Sequence, residues 1–461
     1  MHLYGTQTVN DKGHLVVGGC DAVELAREFG TPLYVMDEAF IRQNARAYVQ
    51  AFRERWDRFA VAYAAKAFFC TAMAALAHQE GLHLDVASGG EIATALAAGV
   101  PAERLFFHGN NKSPDELALA VASGVGRIVV DNLYELSLLR AEAARQGARP
   151  RIYLRLTPGV SAHTHHYITT GQLDSKFGIP IETGDALAAV REALRTPEVE
   201  LVGLHAHIGS QIFDLNSFRV AAARMMAFCA AVRRETGWTC SELDLGGGLG
   251  VRYTAEDDPR PIEELVAVLT EAVAEQAAAL DLPLPRLVVE PGRSIVGEAG
   301  VTLYTVGAIK EIPGVRTYLA VDGGMNDNPR PALYQARYEV VVANRMRAER
   351  VRRVTVAGRA CESGDILVHD ADVAADVEPG DVLAVLVTGA YNYSMASTYN
   401  RFPRPAVVFV QDGRAEVVVR RETWDDVRAH DVLPPRLRPA GAAEEAAATG
   451  AGPDAVPVER G

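Results

Sequence analysis

RFAVAYAAKAFFCTAMAALAHQEGLHLDVAS, residues 58–88, decides the fold. Two β-rich apolar runs, RFAVAYAAK and LHLDVAS, enclose TAMAALAHQEG, whose apolar residues recur at helical spacing. A strand, a helix and a second strand in close succession make a β-α-β unit with its two strands parallel. The pattern continues through LFFHG, RIVVDN, RIYLRLTPG, LVGLHAHIG, ELDLGGGLG and RLVVEPGR, with segments such as EIATALAAG between them that read as helices. Eight such strands between about 58 and 293 predict an α/β fold built on a TIM (β/α)8 barrel.

From about 301 to 421 the pattern changes: VTLYTVGAI, TYLAVDGG, RRVTVAG, DVLAVLVTG and AVVFVQDGRAEVVVRR follow one another without long helices, and QDGR reads as a hairpin turn. A second, mostly antiparallel β-barrel or sandwich domain is expected, with the early strand HLVVGG joining it. The expected division is 38–298 for the barrel, 1–37 with 299–430 for the β domain, and a disordered Ala/Gly/Glu/Pro-rich tail at 436–461.

The bulk numbers agree with two cores, since 461 residues at 49% hydrophobic exceed what one ordinary core holds. A balance of 46 basic against 59 acidic residues, with no Lys/Arg cluster, argues against nucleic acid or anionic membrane as partner and for small molecules. The N-terminal stretch lacks the pattern of a signal peptide and no apolar run approaches ~20 residues, so a soluble cytoplasmic protein is expected. Cys20, Cys70, Cys229, Cys240 and Cys361 are scattered with no CxxC spacing and read as reduced thiols.

Reactive groups of a TIM barrel sit at the C-terminal strand ends. Here those ends carry, in order, Lys66; Asp85 and Ser88; His108, Asn110 and Asn111; Asp131; Arg155; His207 and Ser210; Gly246 to Gly248; and Glu290 with Arg293. Lys66 stands in the apolar run VAYAAKAFFC, where an ammonium is costly unless paired or deprotonated. An apolar surround is expected to lower its pKa and free the amine as a nucleophile. The glycine backbone with Ser210 and Arg293 suits a phosphate. A lysine beside a phosphate site suggests a Schiff base with pyridoxal 5'-phosphate, Glu290 facing the pyridine nitrogen and His207 stacked on the ring.

A rival reading exists: His205 and His207 in GLHAHIGSQI share one face of a strand as metal ligands would, which suggests a metal-dependent amidohydrolase. Those hydrolases carry HxH on the first barrel strand, not the sixth, and no matching set of later ligands follows. HTHH at 163–166 reads as a polar loop. No metal is expected.

Several longer motifs resemble those of the diaminopimelate decarboxylases, members of the fold type III pyridoxal-phosphate decarboxylases. They are YAAKAF around Lys66, HGNNKS at 108–113, HHYITTGQLDSKFGI at 165–179, HIGSQI at 207–212, LGGGLG at 245–250, EPGRS at 290–294, DGGMNDNPRPALY at 322–334, CESGD at 361–365 and GAYNYSMASTYNRFPRP at 389–405. The similarity runs from about residue 3 to 430.

The resemblance implies that Lys66 carries the cofactor, His207 stacks on it and Glu290 pairs with its nitrogen. Asp85, Ser210, Gly247, Gly248, Gly292, Arg293 and Tyr391 complete the implied cofactor site. Arg293, Arg330, Tyr334, Glu362 and Tyr391 are implied around the substrate, and Cys361 is the implied proton donor. It further implies a homodimer with shared active sites, the CESGD loop reaching into the neighbouring barrel. The implied reaction is decarboxylation of meso-2,6-diaminopimelate at its D-centre to L-lysine and carbon dioxide, the last step of lysine biosynthesis. The distal end of that substrate carries an ammonium and a carboxylate, and Arg330 with Glu362 supplies the matching pair of charges. A decarboxylase of another basic amino acid, or a racemase or cofactor carrier on the same barrel, remains open. Pro329 stands where relatives often have a less rigid residue, and Asn392 where a small one is common.

Overall fold

The computed structural model describes residues 2–160 and 175–437. The HTHH cluster, most of the 165–179 motif and the tail beyond 437 lie outside the described residues.

Eight strands form the barrel: β1 Phe59–Ala64, β2 His83–Val86, β3 Leu105–Phe107, β4 Arg127–Val130, β5 Arg151–Thr157, β6 Glu200–Ala206, β7 Glu242–Asp244 and β8 Arg286–Val289. All neighbours are parallel, β8 pairs with β1 (Val288 beside Ala60), and β4 pairs with β5 (Val129 beside Tyr153), so the sheet closes. The strands read as nearly continuous apolar runs because both faces are buried. Ala60, Ala62, Phe106, Val129, Tyr153 and Val288 fill the interior, while the alternate residues Val61 and Tyr63 face the helices.

The N-terminal mouth is closed by charge. Glu242, at the start of β7, accepts from Arg127 Nε at 2.9 Å and Nη2 at 2.7 Å, and from the Tyr153 hydroxyl. At the opposite mouth several helices begin directly after a strand. Ser88 Oγ accepts from the Glu91 N–H and Asn132 Oδ1 from that of Glu135, so these rim groups are helix caps rather than parts of a site. The 22-residue helix Leu215–Thr236, between β6 and β7, is long and apolar enough to cross a bilayer, but half of its apolar window is buried, and it packs on helix Ile262–Ala279.

The β domain is one sheet in the order Ile366–Ala374, Arg350–Ala357, Arg316–Val321, Gly300–Ile312, Leu33–Asp37, Ala406–Gln411, Arg414–Val419, with Val382–Leu386 and Val340–Val342 branching from Gly300–Ile312. Pairing is antiparallel except between Arg316–Val321 and Arg350–Ala357 and between Leu33–Asp37 and Ala406–Gln411. QDGR is the hairpin expected: Gln411 faces Arg414, and Asp412 and Gly413 take φ of +52° and +74°. The early strand differs from expectation. Leu15–Val17 pairs within a separate three-stranded sheet with Thr8–Val9 and Cys20–Asp21, because the turn at Gly18 and Gly19 (φ +59° and +80°) folds it back on itself. Leu15 and Val17 still pack into the β-domain core, which also receives Val251 and Tyr253 from the loop after β7.

Candidate active site

A cavity of about 630 Å³ opens at the C-terminal mouth of the barrel, where Lys66, Asp85, His108, Arg155, His207 and Glu290 meet Arg330 and Tyr391 from the β domain. Lys66 lies in the 3-10 turn Ala65–Ala67 that ends β1, and its side chain is half exposed to the cavity. Its Nζ stands 3.5 Å from Oδ2 of buried Asp85. The structure corrects the expected electrostatics of this lysine: the Asp85 carboxylate outweighs desolvation, and the amine is raised above its ordinary pKa. Desolvation does lower the amine, but by less than one buried acid raises it.

Below the lysine lies a buried group of four: His108, His205, Asp244 and Glu290, their candidate ligating atoms within 4.8 Å of one another. Glu290 Oε2 accepts from His205 Nε2 at 3.1 Å. His108 Nε2 stands 2.6 Å from Oε1, so both carboxylate oxygens face a histidine nitrogen. Two buried carboxylates this close do not both ionise. Burial and the neighbouring Glu290 push Asp244 well above the ordinary range, so it holds the proton; Glu290, against its own burial, is held well below by His108 and His205. Burial lowers His205 to about 4, so it is neutral at pH 7.

The glycine run is explained by contacts on either side. A Cβ on Gly247 would lie 2.1 Å from the Glu290 carbonyl oxygen, and one on Gly248 (φ +121°) 2.4 Å from that of Gly209. The Gly247 N–H donates to His207 Nδ1 at 3.2 Å, which leaves the proton of the neutral ring on Nε2. Burial, then Lys66 and Arg155, lower the His207 pKa far enough to keep it neutral. Gly248, not Gly247, faces the cavity, beside Ser210 and Arg293. Arg293 donates to Ser210 Oγ at 2.9 Å and to the Tyr253 hydroxyl at 2.5 Å, and lies 4.7 Å over the Tyr391 ring. Tyr391 adopts φ +63°, a strained value for a side-chain-bearing residue, with its N–H on the Ala67 carbonyl at 2.7 Å.

These residues fit pyridoxal phosphate. An ionised Glu290 on the cavity wall suits a ring N–H donor, and Gly248, Ser210 and Arg293 suit a phosphate.

A family model described as "Pyridoxal-dependent decarboxylase, pyridoxal binding domain" matches residues 39–297. The chain is 52% identical over 427 residues to the diaminopimelate decarboxylase of Bacillus subtilis, covering 93% of this chain and 97% of that one. The chain belongs to the diaminopimelate decarboxylase family. Its likeness to the Halalkalibacterium halodurans diaminopimelate decarboxylase is also 52%, over 93% and 97% of the two chains. Among solved structures, the M. jannaschii diaminopimelate decarboxylase in co-complex with L-lysine matches with a TM-score of 0.87 and 36% identity, over 94% of this chain and 99% of that one.

In this member of the diaminopimelate decarboxylase family the cavity gathers most residues expected from sequence: Lys66, Asp85, His207, Ser210, Gly248, Glu290, Gly292, Arg293, Arg330, Tyr334 and Tyr391 all line it. Cys361 and Glu362 do not. Both are exposed on the β domain, where the Cys361 N–H donates to Asn400 Oδ1 at 2.7 Å and Glu362 Oε1 accepts from the Gly364 N–H at 3.2 Å. The paired-ligand reading of His205 and His207 is not supported by the geometry. Strand β6 ends at Ala206, so the strand alternation no longer governs His207, and the group that could ligate a cation holds His205 without it.

Sequence reasoning passed over Asp244, Tyr253 and Tyr338. Asp244 had a signal, an acid at the end of the buried strand ELDL; the two tyrosines had none, because their roles arise from contacts across the domain junction.

Proposed function

We propose that this chain removes the carboxylate from the D-centre of meso-2,6-diaminopimelate, giving L-lysine and carbon dioxide, with pyridoxal 5'-phosphate held by Lys66, Asp85, His207, Ser210, Gly248, Glu290, Gly292, Arg293 and Tyr391. The observation that carries this reading is one cavity lined by a lysine amine, by the buried, ionised carboxylate of Glu290, and by two arginines, Arg293 and Arg330.

When bound, pyridoxal phosphate supplies the sink for the electron pair left as the carbon–carboxylate bond breaks. Glu290, ionised because Asp244 keeps the shared proton and held between His205 and His108, would pair with the ring nitrogen. Asp85 holds the Lys66 amine at the cavity wall and takes up part of the cost of its charge. His207, pinned by Gly247, offers a neutral flat face. Arg330 meets the distal carboxylate. The acids on the outer cavity wall are committed elsewhere, Glu256 to Arg337 at 2.6 Å and Asp257 to the N–H groups of Tyr253 and Thr254, so the distal ammonium needs another partner.

We place that partner, Glu362, and the proton donor, Cys361, on a second copy of the chain. Their exposure, away from the cavity of their own chain, supports a homodimer with shared sites. We assign residues 38–298 as the cofactor-binding domain and 1–37 with 299–430 as the second; the family match over 39–297 supports this division. We infer a cytoplasmic protein, and the acidic balance supports the absence of nucleic-acid or anionic-membrane partners.

The test is carbon dioxide release from protein loaded with pyridoxal phosphate, offered separately each diaminopimelate isomer, ornithine, arginine and lysine. Release from the meso isomer alone, with lysine as product, is the expected result. Release from ornithine or lysine instead would overturn the substrate assignment and leave the cofactor assignment standing.

A further inference from the structure

Arg330, the residue assigned to the distal carboxylate, is 8% exposed and points into the cavity from between two prolines. Pro329 (φ −77°) caps the short helix Arg330–Tyr334 and Pro331 opens its first turn, so the backbone on both sides of the arginine has its φ angle set by a ring. A fixed backbone does not fix a guanidinium, which hangs on a long flexible stem. Two side chains supply that restraint. Its charged plane lies 4.7 Å over the Tyr253 ring and 5.6 Å over the Tyr338 ring, and the two rings meet edge to face at 5.4 Å and 88°. Arg330 Nη1 also donates to the Tyr338 hydroxyl.

The direction of the next bond follows from the donor inventory. A guanidinium only donates, so the Tyr338 oxygen accepts, and its own proton is left for another group. That group is Asn392, whose Oδ1 lies 3.3 Å away. Asn392 is fully buried and its Nδ2 finds no acceptor, a cost that a small apolar residue would avoid. What the side chain contributes in return is the acceptor that ends the relay. This gives a physical account of Asn392. Neither Tyr338 nor Asn392 lines the cavity, so neither touches a ligand in it.

We propose that Tyr338 and Asn392 are positioning residues: aligned behind Arg330, they set the direction in which its guanidinium meets the distal carboxylate of the substrate. Tyr253 joins this unit to the phosphate end, because the ring that carries Arg330 has its hydroxyl bonded to Arg293 at 2.5 Å. The inference rests on the assignment of Arg330 above.

L-Lysine and cadaverine separate the two. L-Lysine keeps the amino and carboxylate groups of the distal end; cadaverine lacks that carboxylate. Binding of each is measured by the absorbance change of the full-length protein loaded with pyridoxal phosphate, alongside KM and kcat for meso-diaminopimelate. With Tyr338→Phe the affinity for L-lysine is expected to fall about tenfold and KM to rise by a similar factor, the loss of one bond to a charged group. Cadaverine affinity and the cofactor spectrum are expected to hold, and kcat to change by less than about twofold, as for a group that acts in binding alone. Asn392→Ala, which keeps the tyrosine, is expected to give a smaller loss of the same kind and is the second variant should Tyr338→Phe fold poorly. Equal weakening of both ligands, or of neither, overturns the positioning role. A wild-type protein that binds L-lysine no better than cadaverine overturns the assignment of Arg330 itself, and the relay falls with it.

Discussion

His205 Nε2 donates to Glu290 Oε2 over 3.1 Å, while His108 Nε2 stands 2.6 Å from the second oxygen of the same carboxylate. The two histidines hold the side chain still and, against its burial, keep it ionised for the ring nitrogen of the cofactor. Glu290→Gln keeps the shape and removes the charge. It is expected to retain bound cofactor, seen by absorbance, and to lower kcat roughly 100-fold, the scale of losing one preorganised electrostatic partner. An unchanged kcat would rule out the role given to the carboxylate.

Asp85 raises the Lys66 pKa across 3.5 Å, so the amine sheds its proton only at high pH. Asp85→Asn removes the negative charge and lets the amine deprotonate at lower pH. Uptake of pyridoxal phosphate by cofactor-free protein, followed across the alkaline range, is expected to begin at lower pH in the variant. A profile that stays in place would mean that some other group sets the state of the lysine.

Arg330→Ala removes the cation assigned to the distal carboxylate. KM for meso-diaminopimelate is expected to rise roughly 10- to 100-fold, the range for a charge-assisted pair, with a smaller change in kcat. Catalytic efficiency that survives the substitution would defeat the assignment.

Shared sites have a direct signature. Lys66→Ala and Cys361→Ala are each expected to be nearly inactive alone, and a mixture allowed to exchange subunits is expected to regain activity. With random exchange in equal amounts, roughly a quarter of all sites receive both native residues. No recovery, with exchange verified by mass, would place Cys361 outside the neighbouring site.

Asp327 concerns stability. It is fully buried, accepts from the Tyr304 hydroxyl and from the Gly324 N–H at 2.9 Å, and burial pushes its carboxyl up to about 7. Between the ordinary carboxyl range and about 7 the unfolded chain has released a proton that the folded protein keeps, so stability falls as pH rises through that window. The loss amounts to roughly 4 kcal/mol at most by linkage. Asp327→Asn imitates the protonated acid, its amide group facing the tyrosine oxygen. Its melting temperature is expected to change less between pH 5 and pH 8 than that of the wild type; parallel curves would show that another group carries the dependence.

The architecture was legible before any coordinates because its signal is local. Each of β1 to β8 is buried on both faces and each intervening helix on one, so neighbouring residues record the pattern without reference to distant ones. The rim position of Lys66, His207, Glu290 and Arg293 followed from the same period, since a barrel places its strand ends at one mouth.

Charge state and bonding were written elsewhere. The pKa of Lys66 depends on an acid 19 positions away, the hold on Glu290 on a histidine 85 positions away, and the direction of Arg330 on Tyr338 and on an asparagine 54 positions beyond that tyrosine. Residue order sets which groups reach the rim, because periodic burial is a property of short stretches. Which proton each group holds, and where each free donor points, was settled by folding, because electrostatic and hydrogen-bond energies depend on ångström separations between residues remote in the chain.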